Sequence, residues 1–144
     1  MNVETILRAK GSAVATVEPD ISVRAAAKLL SEKRIGALVV TDKDGRIAGI
    51  VSERDLVRVI AADGARALDT RVADLMSRDV VTCGPAETIE AVMAVMTARR
   101  IRHLPVVDSG RLAGIVSIGD VVKSRIEETE LEARSLRDYV MAGH

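Results

Sequence analysis

Gly45-Arg46-Ile47-Ala48-Gly49-Ile50-Val51-Ser52-Glu53-Arg54-Asp55-Leu56-Val57-Arg58 returns later in the chain as Gly110-Arg111-Leu112-Ala113-Gly114-Ile115-Val116-Ser117-Ile118-Gly119-Asp120-Val121-Val122-Lys123. Nine of these fourteen positions are identical, at an offset of 65. Upstream the match continues at an offset of 66, from Thr16-Val17-Glu18-Pro19 to Thr82-Cys83-Gly84-Pro85 and from Ile35 to Ile101. The lost residue falls in a turn, where Asp42-Lys43-Asp44-Gly45 becomes Asp108-Ser109-Gly110. A repeated unit with a repeated polar signature predicts two related surfaces about a pseudo-two-fold axis.

Each copy reads as a strand, a helix, two strands and a second helix, preceded by a short lead-in helix. Val14-Ala15-Thr16-Val17 is extended and is stopped by Pro19, which cannot donate to a ladder. Val23, Ala26, Ala27 and Leu30 fall on one helical face, as do Ile89, Val92, Met93 and Met96. Ser22 and Thr88 stand where N-caps belong. Ala37–Val40 and Arg46–Val51, joined by the turn at Asp42–Gly45, carry a hairpin signal, matched by Leu104–Val107 and Leu112–Val116. The second helices start at Ser52 and Ser117. Val3, Ile6 and Leu7 in the first lead-in answer Val72, Leu75 and Met76 in the second, and the stretch 62–70 links the copies. The expected division is 1–66, 67–126 and a helical extension over 127–144. Val122, Ile126, Thr129, Ala133, Leu136 and Val140 have the spacing of a packing seam. Thr129 and Ala133 weaken that seam, so an extended solvated helix is nearly as good a reading.

Composition narrows the function. Twenty-one basic residues balance 21 acidic ones, which argues against a polyanion partner or an anionic membrane surface. With no Phe or Trp and Tyr139 the one aromatic residue, stacking platforms for single strands are missing. Cys83 is alone and suits a reducing compartment. His103 and His144 are the two histidines, too few for an ordinary zinc site. No apolar run reaches the length of a membrane span. The expectation is a soluble cytoplasmic protein.

The polar signature is Gly-Ile-Val-Ser-x-x-Asp, at 49–55 and 114–120. A strand ending in Ser at a helix start offers a hydroxyl and backbone N–H groups to a phosphate, and an Asp one turn on can accept from vicinal hydroxyls. The plain alternative is a capping box that does no more than start a helix. Duplication at a fixed place after a strand favours the binding reading. Catalysis is disfavoured. Gly114–Gly119 spaces its serine one residue too far for a nucleophile elbow, a triad would have to recruit His103 or His144, and no phosphate-binding glycine loop is present.

These residues, with Ile35-Gly36-Ala37-Leu38-Val39-Val40 and Arg100-Ile101-Arg102-His103-Leu104-Pro105-Val106-Val107-Asp108, resemble a tandem cystathionine-β-synthase (CBS) domain pair, or Bateman module. The resemblance spans roughly 3–126. It implies an α/β fold of two β-α-β-β-α motifs related by pseudo-two-fold symmetry, with a short N-terminal helix and an extended C-terminal one. It also implies adenosine-nucleotide binding (AMP, ADP, ATP or NAD) in clefts between the motifs, with no catalytic cofactor and no metal. Asp55 and Asp120 would take ribose hydroxyls, with Ser52 and Ser117 beside them. Thr16, Gly36 and Ala37, and Thr82, Arg102, His103 and Pro105, would line the adenine or phosphate walls. Arg54 would be a phosphate cation. Its counterpart is Gly119, and Gly36-Ala37 answers Arg102-His103, so the clefts are expected to be unequal. The function expected is a regulatory sensing module, a homodimer acting on a separate partner protein; the alternative is a ligand-free dimeric scaffold with vestigial clefts.

Overall fold

A computed structural model describes residues 1–143; His144, considered above as a base for a serine, lies outside the described residues. The described residues form five α-helices and two small sheets. In order they are α1 (Val3–Lys10), β1 (Thr16–Val17), α2 (Val23–Lys33), β2 (Ala37–Thr41), β3 (Ile47–Ser52), α3 (Glu53–Asp63), α4 (Ile89–Arg99), β4 (His103–Asp108), β5 (Arg111–Ser117) and α5 (Ile118–Met141). The link between the copies coils into a 3₁₀ turn over Gly64–Asp69. Among the described residues no helix is long and apolar enough to cross a membrane.

Two compact units emerge, and they interleave along the chain. One comprises residues 13–81 and 110–112, the other 1–12, 82–109 and 113–144. In the first, β1 runs parallel to β2 (Thr16 opposite Val39) and β2 antiparallel to β3 (Val39 opposite Ile50). Asp42 closes the hairpin, its Oδ1 accepting from the Asp44 and Arg46 amides at 2.9 Å each. The apolar faces of α2, β2, β3 and α3 meet in a core of Val23, Ala26, Leu30, Leu38, Val40, Val51 and Leu56, completed by Val72 and Met76. These last two belong to the lead-in of the second copy.

The other unit repeats this plan. Ile89, Val92, Met96, Leu104, Val106, Val116 and Val121 are buried at the matching positions, together with Val3 and Ile6 from the first copy's lead-in. Each lead-in therefore sits with the opposite copy, and the hydrogen bonds correspond. Val3 and Glu4 amides donate to Glu87 and Pro85 carbonyls at 3.0 and 2.9 Å; Val72 and Ala73 amides donate to Ile21 and Pro19 carbonyls at 2.8 Å each.

Two local expectations are corrected. The second lead-in is a 3₁₀ turn over Val72–Asp74, not an α-helix. Its chain is drawn out of helical course at Ser77, whose amide and carbonyl pair with those of Ile50 at 2.9 and 3.0 Å. The strand expected before α4 shrinks to one parallel bridge, Cys83 with Val106. Ser22 and Thr88 do cap α2 and α4, through Ala25 and Ala91 amides.

Candidate functional site

The repeated signature folds the same way twice. β3 delivers Ser52 to the N-cap of α3 in extended conformation, and β5 delivers Ser117 to the N-cap of α5. Asp55 Oδ2 accepts from the Ser52 amide at 2.8 Å and from the Ser52 hydroxyl at 3.1 Å, while the Asp55 amide donates to Ser52 Oγ at 3.4 Å. Asp120 Oδ2 accepts from the Ser117 amide at 2.9 Å, and the Asp120 amide donates to Ser117 Oγ at 3.1 Å. Both are closed capping boxes. The first helical amides are taken as well, Glu53 by the Gly36 carbonyl at 3.0 Å and Ile118 by the Arg102 carbonyl at 2.8 Å. The amides of Ser52, Glu53 and Asp55, and of Ser117, Ile118 and Asp120, are thus engaged within the chain.

The carboxylates are half-buried, with side chains 17% exposed at Asp55 and 24% at Asp120. Beyond the box they differ. Asp55 Oδ1 faces Arg58 Nη1 at 3.8 Å, beyond hydrogen-bond reach. Asp120 Oδ2 accepts a 2.7 Å charged hydrogen bond from Lys10 Nζ, which also donates to the Ile115 carbonyl at 3.0 Å. Burial by itself would raise the Asp120 carboxyl, but Lys10 and Ser117 outweigh it and hold the group below the usual carboxylate value. Sequence reasoning missed Lys10. It lies 110 residues from Asp120, in the lead-in, and its counterpart in the repeat does not mark it.

Gly49 and Gly114, which open the signature, have a packing role. A Cβ on Gly49 would lie 2.6 Å from Met76 Sδ and 2.8 Å from the Ser77 carbonyl oxygen; one on Gly114 would lie 2.7 Å from Leu7 Cδ2. Met76 and Leu7 are equivalent residues of the two lead-ins, so each glycine seats the lead-in of the other copy.

The remaining expected residues are distributed as follows. Thr16, Arg54, Thr82 and Arg102 are exposed; Gly36 and His103 are half-buried; Ala37 and Pro105 are buried. Within the unit that holds α5, Arg102 lines a depression of about 710 Å³ with Ile118, Gly119, Val122, Lys123, Ile126 and Glu127. Asp120 lines a separate groove of about 160 Å³ together with Lys10, Thr5, Lys123 and Glu127. In the other unit the depression of about 550 Å³ is bordered by Glu18, Pro19, Asp20 and Thr41–Asp44, away from Ser52 and Asp55. The structure therefore joins Ser52 to Asp55 and Ser117 to Asp120, and brings the Arg102 carbonyl to the start of α5. Cys83 is buried in the core, and burial, aided by the Glu87 carboxylate, pushes its thiol up to about 11. Among the described residues no cluster of His, Cys, Asp and Glu is suited to a metal.

Comparison with known proteins agrees with the repeat. The CBS domain pattern matches twice, over residues 11–62 and 72–127. The chain is 37% identical over 130 residues to the mitochondrial CBS domain-containing protein CBSX3 of Arabidopsis thaliana, covering 87% of this chain but 63% of that longer one. A solved CBS-domain protein from Agrobacterium tumefaciens is 49% identical and superposes with a TM-score of 0.84, over 86% of this chain and 92% of the other. The CBS domain pair of protein MJ0100, solved in complex with 5′-methylthioadenosine and S-adenosyl-L-methionine, is 28% identical with a TM-score of 0.77, over 90% and 98%. Two matches in register, on a fold that repeats its core residue for residue, show that this chain belongs to the CBS domain family as a tandem CBS pair.

Proposed function

We propose that this chain is a regulatory module that binds an adenosyl compound and passes the bound state to a separate partner protein. The observation that carries the reading is the likeness, over nine-tenths of the chain, to a CBS pair solved with two adenosyl ligands. The repeated Ser–Asp boxes support it, because each sets a half-buried carboxylate beside a serine at a helix start. A nucleoside would compete for these carboxylates through its ribose hydroxyls. Thr16, Gly36 and Ala37 in the first motif, and Thr82, Arg102, His103 and Pro105 in the second, would contact base and phosphate. Arg54 would add a cation in the first motif alone, since Gly119 stands in its place in the second.

The reading is of a binding protein, not an enzyme: the Ser52 and Ser117 hydroxyls serve their own helix starts. AMP, ADP, ATP and NAD are the ligands proposed from the sequence, and S-adenosyl-L-methionine joins them from the solved relative. A homodimer in a reducing, cytoplasmic setting completes the proposal.

The closed boxes also favour a second reading, that of a ligand-free dimeric scaffold. In that case the Asp55 and Asp120 hydrogen bonds are purely structural. Calorimetric titration of the purified protein with AMP, ATP, NAD and S-adenosyl-L-methionine decides between them. The sensing reading expects saturable binding of at least one, at unequal sites. No heat of binding with any of the four, from protein shown to carry no co-purified nucleotide, would leave the scaffold reading.

A further inference from the structure

We infer that the C-terminal part of α5 is one strand of a parallel, two-stranded coiled coil, and that its occupant is α5 of a second copy of this chain. The inference rests on the homodimer reading above and specifies where the two copies meet. Every residue from Thr129 to Met141 is exposed. An unsupported helix of about 12–15 residues is marginal in water, yet this stretch continues α5 without a break. Its apolar side chains have no cover: Leu136 is 66% exposed and Val140 63%, and the stripe begins closer in with Val122 at 44% and Ile126 at 52%.

The stripe has heptad form. Ile126, Ala133 and Val140 fall at one core position, Val122, Thr129 and Leu136 at the other. Ile126 and Val140 at the first position and Leu136 at the second follow the pattern that favours two parallel strands, with Ala133 and Thr129 as small and polar layers between them. The seam lies to one side of Val121 and Ser124, the residues α5 buries in its own unit. The depression beside Ile118, Val122 and Ile126 leaves the first layers open to a second helix.

The flanking charges select the occupant and its direction. In a parallel pair each residue just before the first core position meets the residue five further along the other helix. Arg125 then meets Glu130 of the second copy, and Glu132 meets Arg137. Symmetry doubles both, giving four attractive pairs. An antiparallel pair that sets Ala133 against Leu136 keeps Glu130 with Arg137 but faces Glu132 with Tyr139, and so has half as many attractive pairs. Arg125 is loosely held at present, at 3.4 Å from both Glu90 and Glu128.

The test uses the full chain and sedimentation equilibrium. Arg137→Glu should raise the dimer dissociation constant about tenfold, as two surface ion pairs turn repulsive, and adding Glu132→Arg should restore it. Leu136→Cys should form a disulfide-linked dimer on mild oxidation; Cys83 does not compete, being buried. Both positions are exposed, so circular dichroism should show the fold unchanged. Restoration by Glu130→Arg instead of Glu132→Arg would overturn the parallel arrangement. A dimer that neither cross-links at position 136 nor responds to Arg137→Glu would overturn the inference while leaving the homodimer. A monomeric parent protein at micromolar concentration would overturn both.

Discussion

Asp120 and Asp55 occupy the same place in two copies of one motif, and their chemistry differs because of one lysine. Lys10 Nζ sits 2.7 Å from Asp120 Oδ2, whereas among the described residues the cation paired with Asp55 is Arg58, 3.8 Å away. The two sites should therefore differ for a ribose, which would have to share or displace Lys10 at Asp120. The lysine also makes a stability prediction. Because folding lowers the Asp120 value, the unfolded chain binds the extra proton, so the stabilisation is complete above the ordinary carboxylate value near 3.8 and is lost as pH falls through the lowered folded value. Replacing Lys10 with Ala should cost about 0.5–1 kcal/mol at neutral pH, a value typical of a partly exposed ion pair. Urea denaturation of both proteins should show that gap narrowing as pH drops below 3.8; a gap independent of pH would mean that Lys10 acts by packing alone.

At the scale of elements, each lead-in completes the core of the opposite copy, and the glycines of the signature receive them. The contacts at Gly49 and Gly114 predict unequal costs. An Ala at 49 meets the Ser77 backbone oxygen, fixed by its paired hydrogen bonds to Ile50, as well as Met76. It should destabilise by about 1–3 kcal/mol, the usual range for overpacking. An Ala at 114 meets only the Leu7 side chain, which can rotate, and should cost less. Equal losses in chemical denaturation would contradict this difference.

The same elements explain what the sequence could tell. The repeat, the hairpins, the four N-caps and the buried faces of α2 and α4 were legible because they depend on local period and on residues three apart. The exchange was not legible. Val3, Ile6 and Leu7 carry the same apolar pattern as Val72, Leu75 and Met76, so either lead-in suits either core on pattern alone. The Ser–Asp signature was legible as a motif, with the capping box as one of its two readings, but not the engagement of the Glu53 and Ile118 amides, which depends on the distant Gly36 and Arg102 carbonyls. The 24-residue length of α5 exceeds what the second motif requires, and its seam is legible in the sequence although its own unit leaves it bare.

For the whole molecule, the central claim is that a tandem CBS pair senses an adenosyl ligand through Asp55 and Asp120. Replacing both with Ala opens two capping boxes, which should cost the empty protein roughly 1 kcal/mol for each lost set of hydrogen bonds and leave the apolar cores intact. A ligand at about 100 times its dissociation constant should stabilise the parent protein by roughly 2.7 kcal/mol, a rise of several degrees in melting temperature. The most direct measurement is the melting temperature of the parent and the Asp55→Ala, Asp120→Ala double variant, each with and without AMP, ATP, NAD and S-adenosyl-L-methionine. The account predicts a rise for the parent with at least one of these and loss of most of that rise in the variant. A double variant that keeps the full rise would contradict it.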